Sequence, residues 1–206
     1  MDIFVFIPAV ALGCYLILLS GILSVKNTKL KQLFISTISV YILWVLGSVC
    51  MRLDIWPSYQ FWFHVSLFGV FLIPCVTVLF CERYINGKNS FGVYALQVVA
   101  TLWFLANLVT GGWFVAPPEQ VVTEVGVKFV YHIGIPSVLP YVTYCIIMIY
   151  LGVILIRGVR SEKIGRQEFV LIFTGKMVML LGNILINIPP FTGFPIDMST
   201  GILDAL

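Results

Sequence analysis

Long apolar stretches alternate with short polar loops along the whole chain. A transmembrane helix needs about 20 predominantly apolar residues, and six stretches meet this length. Every backbone N–H and C=O group inside lipid must find its partner within the same segment, so we expect each stretch to be a helix. The predicted spans are residues 4–25, 33–51, 60–81, 91–109, 129–156 and 169–188. The pattern therefore predicts an all-α fold, a polytopic bundle of transmembrane helices.

A further apolar segment begins after Pro195 and extends to the last residue of the chain. Asp197, Ser199 or Thr200 is suited to cap a helix there. We therefore expect six complete spans and the start of a seventh helix, which is truncated after about residue 198. On this prediction residues 1–206 form one transmembrane domain, and the chain is the front part of a longer protein.

Basic residues are concentrated in every second loop. They are Lys26, Lys29 and Lys31 in the first loop, Arg83 and Lys88 in the third, and Arg157, Arg160, Lys163 and Arg166 in the fifth. The other loops contain only Arg52 and Lys128. Short loops rich in lysine and arginine stay in the cytoplasm. The distribution predicts a multi-pass protein of the inner (plasma) membrane with its N-terminus outside the cell.

The composition excludes a water-soluble domain. Hydrophobic residues make up 60% of the chain and charged residues 10%, with a mean hydropathy of +1.05. Soluble domains contain about 45–50% apolar and about 25% charged residues, so a lipid bilayer must cover the additional apolar surface. The net charge of +3 lies mainly in the predicted inner loops, where it suits anionic lipid headgroups rather than nucleic acid.

No residue pattern points to catalysis, a cofactor or a metal ion. The five cysteines contain no C-x-x-C pair and are interpreted as small buried hydrophobic residues. The motifs of zinc proteases, P-loop nucleotide-binding proteins and serine hydrolases do not occur. We therefore expect neither enzyme activity nor a bound cofactor.

The longest loop between predicted spans, residues 110–128, combines glycine and proline pairs with apolar side chains. Trp113, Phe114 and Val115 are compatible with a lid that rests on the helix ends or at the membrane surface. A mobile outer loop is the alternative, and the sequence does not decide between the two.

Sparse landmarks recur in a fixed order on the predicted spans. They are Trp44-x-x-Gly47, Phe61-Trp62, Gly69, Pro74, Glu82-Arg-Tyr84, His132-x-Gly134, Tyr141, Arg166-Gln167, Gly182-Asn183 and Pro195-x-Asp197. Their order and spacing resemble the N-terminal seven-helix sensor region of bacterial histidine kinases. The resemblance covers nearly the whole chain.

The resemblance implies a membrane-embedded, signal-sensing module of a two-component system. In that family the membrane region passes its signal to coiled-coil, phosphoacceptor-histidine and ATP-binding domains, and we expect a homodimer. Since no catalytic domain follows the last predicted helix, kinase activity would belong to a longer parent protein. The alternative function is a small transporter or channel component, or an accessory membrane subunit.

Seven residues near the predicted outer helix ends are candidates for a ligand site. They are Arg52, Trp62, His64, His132, Asn183, Asn187 and Asp197. The expected ligand is a small hydrophobic or amphipathic molecule that enters from outside or from the outer leaflet. Structural alternatives stay open: histidines bonded to nearby backbone, an Arg–Asp salt bridge, and asparagines that join helices.

Lys176 is the only basic residue well inside a predicted span. Charged side chains at such positions either face the bundle interior or extend along the helix to the headgroups. In the first arrangement, Lys176 would make a polar contact with Asn183 or with a neighbouring helix. That contact is a candidate for relaying the signal.

Overall fold

The computed structural model describes residues 3–123, 126–130 and 135–186. Within these ranges the chain is helical except for loops and one β-hairpin. The helices are α1 (Ile3–Leu23), α2 (Lys29–Arg52), α3 (Tyr59–Asn86), α4 (Phe91–Val109), α5 (Val138–Arg160) and α6 (Arg166–Ile186). The hairpin consists of β1 (Glu119–Thr123) and β2 (Gly126–Val130), and a 3-10 helix, Ile135–Ser137, leads into α5. The predicted seventh helix and the last residues of the sixth span lie outside the described residues.

Four helical segments among the described residues are long and apolar enough to cross a membrane. They are Lys29–Arg52, Tyr59–Asn86, Phe91–Val109 and Ile135–Arg160. The first helix contributes a shorter apolar segment, Pro8–Leu23. The prediction of a helical, multi-pass membrane protein is therefore confirmed, whereas the predicted number of spans is not.

Polar residues at the loop ends cap the helices and allow the connections to be short. The Thr28 side chain accepts a hydrogen bond from the Lys31 N–H at the start of α2. Ser58 accepts one from the Phe61 N–H at the start of α3. At the other end of α3, Gly87 adopts a left-handed conformation with φ of 70°, which suits glycine because it has no Cβ atom.

The predicted fifth span starts too early in the chain. Its predicted first residue, Phe129, lies in β2, and α5 begins only at Val138. β-branched residues are frequent over residues 119–130 and favour strands, and the two strands pair with each other in antiparallel register. Pro136 and Pro140 fit the start of a helix rather than its middle, because the first turn needs no backbone donors.

The central helix of the bundle is α3. It packs against α2, α4 and α5, while α1 lies on α2 and α6 lies on α5. Two glycines bring α2 and α3 together: a Cβ atom added to Gly47 would lie 2.6 Å from the Ser66 nitrogen, and one added to Gly69 would lie 2.8 Å from the Trp44 nitrogen. The backbone of each helix therefore lies directly against a glycine of the other, a contact typical of small residues in membrane helices.

The loops are divided between two ends of the bundle. We call the end that holds the α1–α2, α3–α4 and α5–α6 loops the basic end; there Ile85 of α3 lies beside Gly158 of α5. We call the opposite end the hairpin end, because Phe129 of β2 packs there against Met51 of α2 and Phe63 of α3. The hairpin end holds the buried Arg52, and the basic end holds the buried Glu82.

Replacing Gly47 by alanine is expected to destabilise the protein by about 1–3 kcal/mol, because the new methyl group overlaps backbone atoms of α3. The measurement is the thermal unfolding midpoint of the purified protein in detergent. Gly175→Ala is the matched control, since among the described residues no atom beyond the adjacent backbone of α6 lies within 4 Å of a Cβ added there. Equal midpoints for the two variants would contradict the role given to the α2–α3 contact.

Candidate functional site

A buried arginine and a buried phenylalanine meet at the hairpin end. Arg52, the last residue of α2, is 5% exposed, and Phe129 of β2 is 1% exposed. The guanidinium carbon of Arg52 lies 5.6 Å from the centre of the Phe129 ring, within the range of a cation–π contact. The predicted ligand-site residue Arg52 is therefore covered by a residue of the hairpin.

Apolar and aromatic side chains surround this contact. Met51, Phe63 and Leu67 are buried together with Phe129, and the Tyr59 ring centre lies 6.1 Å from the phenylalanine ring centre. Arginine stays protonated in proteins, and a charge among apolar groups needs compensation by an anion, a dipole or a π face. The arrangement thus combines a fixed positive charge with an apolar lining.

Two further predicted site residues, Trp62 and His64, lie in the first turns of α3. The Trp62 indole N–H donates to the Ile55 carbonyl oxygen at 3.0 Å and so holds the turn between α2 and α3. His64 Nδ1 donates to the Gln60 carbonyl oxygen at 2.7 Å. Trp62 also packs against the buried cluster, whereas His64 has the nearby backbone partner that the structural alternative expects.

Asn107 anchors the chain that leads from α4 to the hairpin. It is 0% exposed, and its Oδ1 accepts hydrogen bonds from the N–H groups of Phe114 at 3.0 Å and Val115 at 2.8 Å. Its Nδ2 donates to the Val115 carbonyl oxygen at 3.0 Å. Beyond the hairpin, the Ser137 hydroxyl donates to the Phe114 carbonyl oxygen. These contacts agree with a lid that rests on the helix ends.

A buried carboxylate, Glu82, joins three elements at the basic end. Its Oε2 accepts a hydrogen bond from the Ser90 N–H at 2.8 Å, and its Oε1 accepts one from the Tyr150 hydroxyl at 3.3 Å. The side chain thereby connects the end of α3, the residue before α4 and the middle of α5. Because a carboxylate strengthens the bonds that it accepts, Glu82 acts as a structural clamp.

Lys176 is directed into the bundle and is 9% exposed. Its ammonium group donates to the Tyr41 hydroxyl of α2 and lies 4.8 Å from the centre of that ring. Tyr41 in turn stacks on Tyr15 of α1, with ring centres 5.4 Å apart. The arrangement in which Lys176 extends to the headgroups is therefore wrong, and the contact with a neighbouring helix is observed. One lysine connects α6 with the α1–α2 pair.

The other predicted ligand residues are not part of this geometry. His132, Asn187 and Asp197 lie outside the described residues, and Asn183 belongs to α6 but its side chain is not described. Among the side chains that the structure describes, no group of three or more His, Cys, Asp or Glu residues is arranged to hold a metal ion. The five cysteines are free thiols.

Apolar helices of membrane length define the chain as a multi-pass membrane protein in contact with a lipid bilayer. The family described as the N-terminal 7TM region of histidine kinase matches residues 5–202. The chain belongs to this family, which confirms the resemblance carried by its landmarks. It is a membrane sensor region of the signal-transduction class. Comparisons with curated proteins and with solved structures gave no match.

Sequence reasoning does not single out Phe129, Asn107 or Tyr41, although each makes a central contact. The alternation of valines before Phe129 was an available sign of a strand. An amide within an apolar span, such as Asn107, commonly forms hydrogen bonds across elements, so its sequence position carried a sign as well. Tyr41 carried no such sign, because its role depends on which helices become neighbours.

Replacing Asn107 by alanine is expected to detach the loop before the hairpin. The N–H groups of Phe114 and Val115 would lose their acceptor, at a cost of about 1–3 kcal/mol for each buried group left without a partner. Hydrogen exchange measured by mass spectrometry should therefore accelerate over residues 111–123. Thr110→Ala is the control, because the Thr110 hydroxyl donates to carbonyl groups of α4, those of Ala106 and Asn107, in the part of the chain that the structure describes. Unchanged exchange in Asn107→Ala would show that the amide does not anchor the loop.

Proposed function

We propose that this chain is the signal-sensing module of a two-component histidine kinase and that it detects a small hydrophobic or amphipathic ligand. The observation that carries the proposal is the family match over residues 5–202. Two buried cations add support: Arg52 at the hairpin end and Lys176 in the interior. Buried charges in membrane helices commonly mark functional positions. The alternative of a transporter or accessory subunit is not favoured by the family.

In this proposal the basic end faces the cytoplasm, and the hairpin end faces outward from a bacterial inner membrane. The loops at the basic end hold most of the lysine and arginine residues of the chain. Such loops are retained on the cytoplasmic side, so the N-terminus would lie outside. A ligand from the medium or from the outer leaflet would then meet the hairpin end first.

The ligand is proposed to bind beside Arg52, Trp62 and His64. The remaining candidates for the same site are His132, Asn183, Asn187 and Asp197. Arg52 offers a positive charge, and Trp62 offers an aromatic surface that packs against the cluster around Phe129. A ligand shifts the signalling state only to the extent that it binds two helix arrangements with different affinity. Residues that touch both the hairpin and the helices are suited to this discrimination.

Lys176 is proposed to relay the change to the output domains. The lysine bonds to Tyr41 of α2, whereas the backbone of α6 packs mainly on α5. Lys176 has few other polar groups to bond to within an apolar interior. A shift of α6 that breaks the bond to Tyr41 would therefore leave no substitute for it. The change in the position of α6 would then be transmitted to the proposed seventh helix and through it to a homodimeric kinase core.

The function is tested on the full-length gene product, which is purified, placed in nanodiscs and supplied with ATP. We expect phosphorylation on a histidine, and we expect its rate to change with a panel of single-chain amphiphiles that differ in headgroup charge. The assay measures acid-labile phosphate on the protein. Absence of histidine phosphorylation, together with solute uptake by vesicles that hold the protein, would replace this proposal by the transporter alternative.

The orientation is tested by reporter enzymes fused after Lys29, Gly112 and Lys163. Fusions at the two lysines should show cytoplasmic activity, and the fusion at Gly112 should show activity outside the membrane, because basic loops stay inside. Paired reporters that work on opposite sides serve as mutual controls. Cytoplasmic activity at Gly112 would contradict the orientation.

The relay is tested by comparing Lys176→Met with Tyr41→Phe in the autophosphorylation assay. The second variant removes only the hydroxyl that accepts from the lysine and keeps the aromatic ring. We expect both variants to change the basal rate in the same direction, and the double variant to add little, because coupled residues are not additive. Tyr94→Phe, at an exposed position of α4, is the control. Additive effects, or unchanged rates in folded variants, would rule out a relay through this contact.

A further inference from the structure

Large apolar side chains are exposed at the hairpin end of the bundle. They lie on the α2–α3 turn, around the end of α4 and just before α5. We call these residues the apolar collar: Leu53, Ile55, Trp56, Val109, Trp113 and Ile135. Groups of exposed apolar residues commonly mark a surface that contacts a partner or a membrane, so the identity of the molecule that covers the collar is a question about function.

The α2–α3 turn holds its apolar side chains in a fixed position. The Ile55 N–H donates to the Cys50 carbonyl oxygen at 3.1 Å. From α3, the Trp62 indole N–H donates to the Ile55 carbonyl oxygen at 3.0 Å and lies 3.4 Å from the Trp56 carbonyl oxygen. The backbone of the turn is therefore bonded to both helices, while the Trp56 residue is 86% exposed. An apolar ring held outward in this way finds an apolar environment only outside the chain.

The collar lies at the height where the apolar core of a bilayer ends. Lys31 belongs to a basic loop, and Arg52 lies about 32 Å from it along α2, at a rise of 1.5 Å per residue. By the same rise, α4 is about 28 Å long and α5 about 34 Å. The hydrocarbon core of a bilayer is about 30 Å thick. With the basic loops at the headgroups of one leaflet, the other ends of these three helices therefore lie at the headgroups of the opposite leaflet.

The collar is continuous with the surface that the bundle presents to lipid. On α4, Leu102 and Leu105 are exposed on the same face as Val109, since residues three or four positions apart share one side of a helix. On α5, Val142 is exposed further along the helix that follows Ile135. These faces cross the bilayer, so the lipid that covers them also reaches the collar. The leaflet at the hairpin end is therefore the partner that this continuity favours.

We propose that the apolar collar inserts into the leaflet at the hairpin end, at the boundary between headgroups and acyl chains, and that Trp56 is its principal anchor. Tryptophan suits this boundary because its ring is largely apolar, whereas its indole N–H bonds to water or to lipid oxygen atoms. The inference goes beyond the proposed sensing function and does not depend on it, because it follows from exposed side chains and helix lengths alone.

Insertion connects the leaflet with the buried cluster at this end of the bundle. The turn that carries Trp56 is bonded to the Trp62 side chain, and Trp62 packs against the cluster that contains Met51 and Phe129. A change in headgroup packing around the Trp56 ring therefore acts on a turn that is bonded to α3 and continuous with α2. The lipid surface thus supports the α2–α3 pair at the position where its two helices are joined.

The test measures how strongly bromine atoms at different depths in the lipid quench tryptophan fluorescence. The purified chain is placed in nanodiscs of phosphatidylcholine that is brominated either near the headgroup or near the middle of the bilayer. The contribution of Trp56 is the difference between the emission of the wild type and that of Trp56→Phe. We expect the shallow bromines to quench this contribution about twofold more strongly than the deep ones, because interfacial tryptophan rings lie at the level of the headgroups.

Trp44→Phe is the matched control, because Trp44 is 8% exposed within the bundle. Its contribution, obtained by the same subtraction, should be quenched little by either lipid. Trp113→Phe examines the other part of the collar. If one surface carries both residues, the Trp113 contribution should show the same preference for shallow bromines as that of Trp56. A Trp113 contribution that neither lipid quenches would contradict a shared surface.

Iodide added to the medium distinguishes the other environments of Trp56. Quenching by iodide without quenching by brominated lipid would place the turn in water and overturn the proposal. Quenching by neither reagent would assign the ring to a contact with protein, such as a second copy of this chain, and would overturn the proposal as well. The sensing function is decided separately by autophosphorylation of the full-length gene product, so the failure of one proposal leaves the other intact.

Discussion

The close contact between α2 and α3 is the constraint on which the other features depend. Gly47 and Gly69 let the two backbones touch, and this fixes both the spacing and the relative height of the helices. Arg52 at the end of α2 thereby lies next to the first turns of α3, where the hairpin closes over it. Tyr41 lies closer to the basic end of α2 and is held facing the side from which Lys176 of α6 approaches.

Beyond this helix contact, a few polar side chains help to decide which elements become neighbours within a largely apolar bundle. Lipid tails are as apolar as leucine side chains, so the burial of apolar surface alone distinguishes poorly between alternative arrangements of helices. Arg52, Glu82 and Lys176 each join elements that are distant in the chain, at the hairpin end, at the basic end and in the interior respectively. Their contacts give the bundle a defined arrangement and also provide the places where a ligand or a movement could change it.

Features that depend on interactions within one segment could be predicted from the sequence, whereas contacts between distant segments could not. The helical, membrane-embedded class follows from apolar runs alone, since bilayer thickness and backbone pairing act on each segment separately. The start of the fifth span was wrong because Phe129 adjoins a long apolar run, and hydropathy does not distinguish a strand that packs on helix ends from a helix in lipid. Likewise, Arg52 was recognisable as a polar residue at a helix end, but its aromatic cover was not.

The sequence by itself determined the class of protein, the separation of basic and non-basic loops and membership of the family, because these depend on composition and on the order of residues along the chain. Only the tertiary structure decided that the Phe129 ring lies over Arg52, that Asn107 fastens the loop and that Lys176 bonds to Tyr41. Each of these contacts joins residues brought together by helix packing, and packing depends on the shapes of several helices at once.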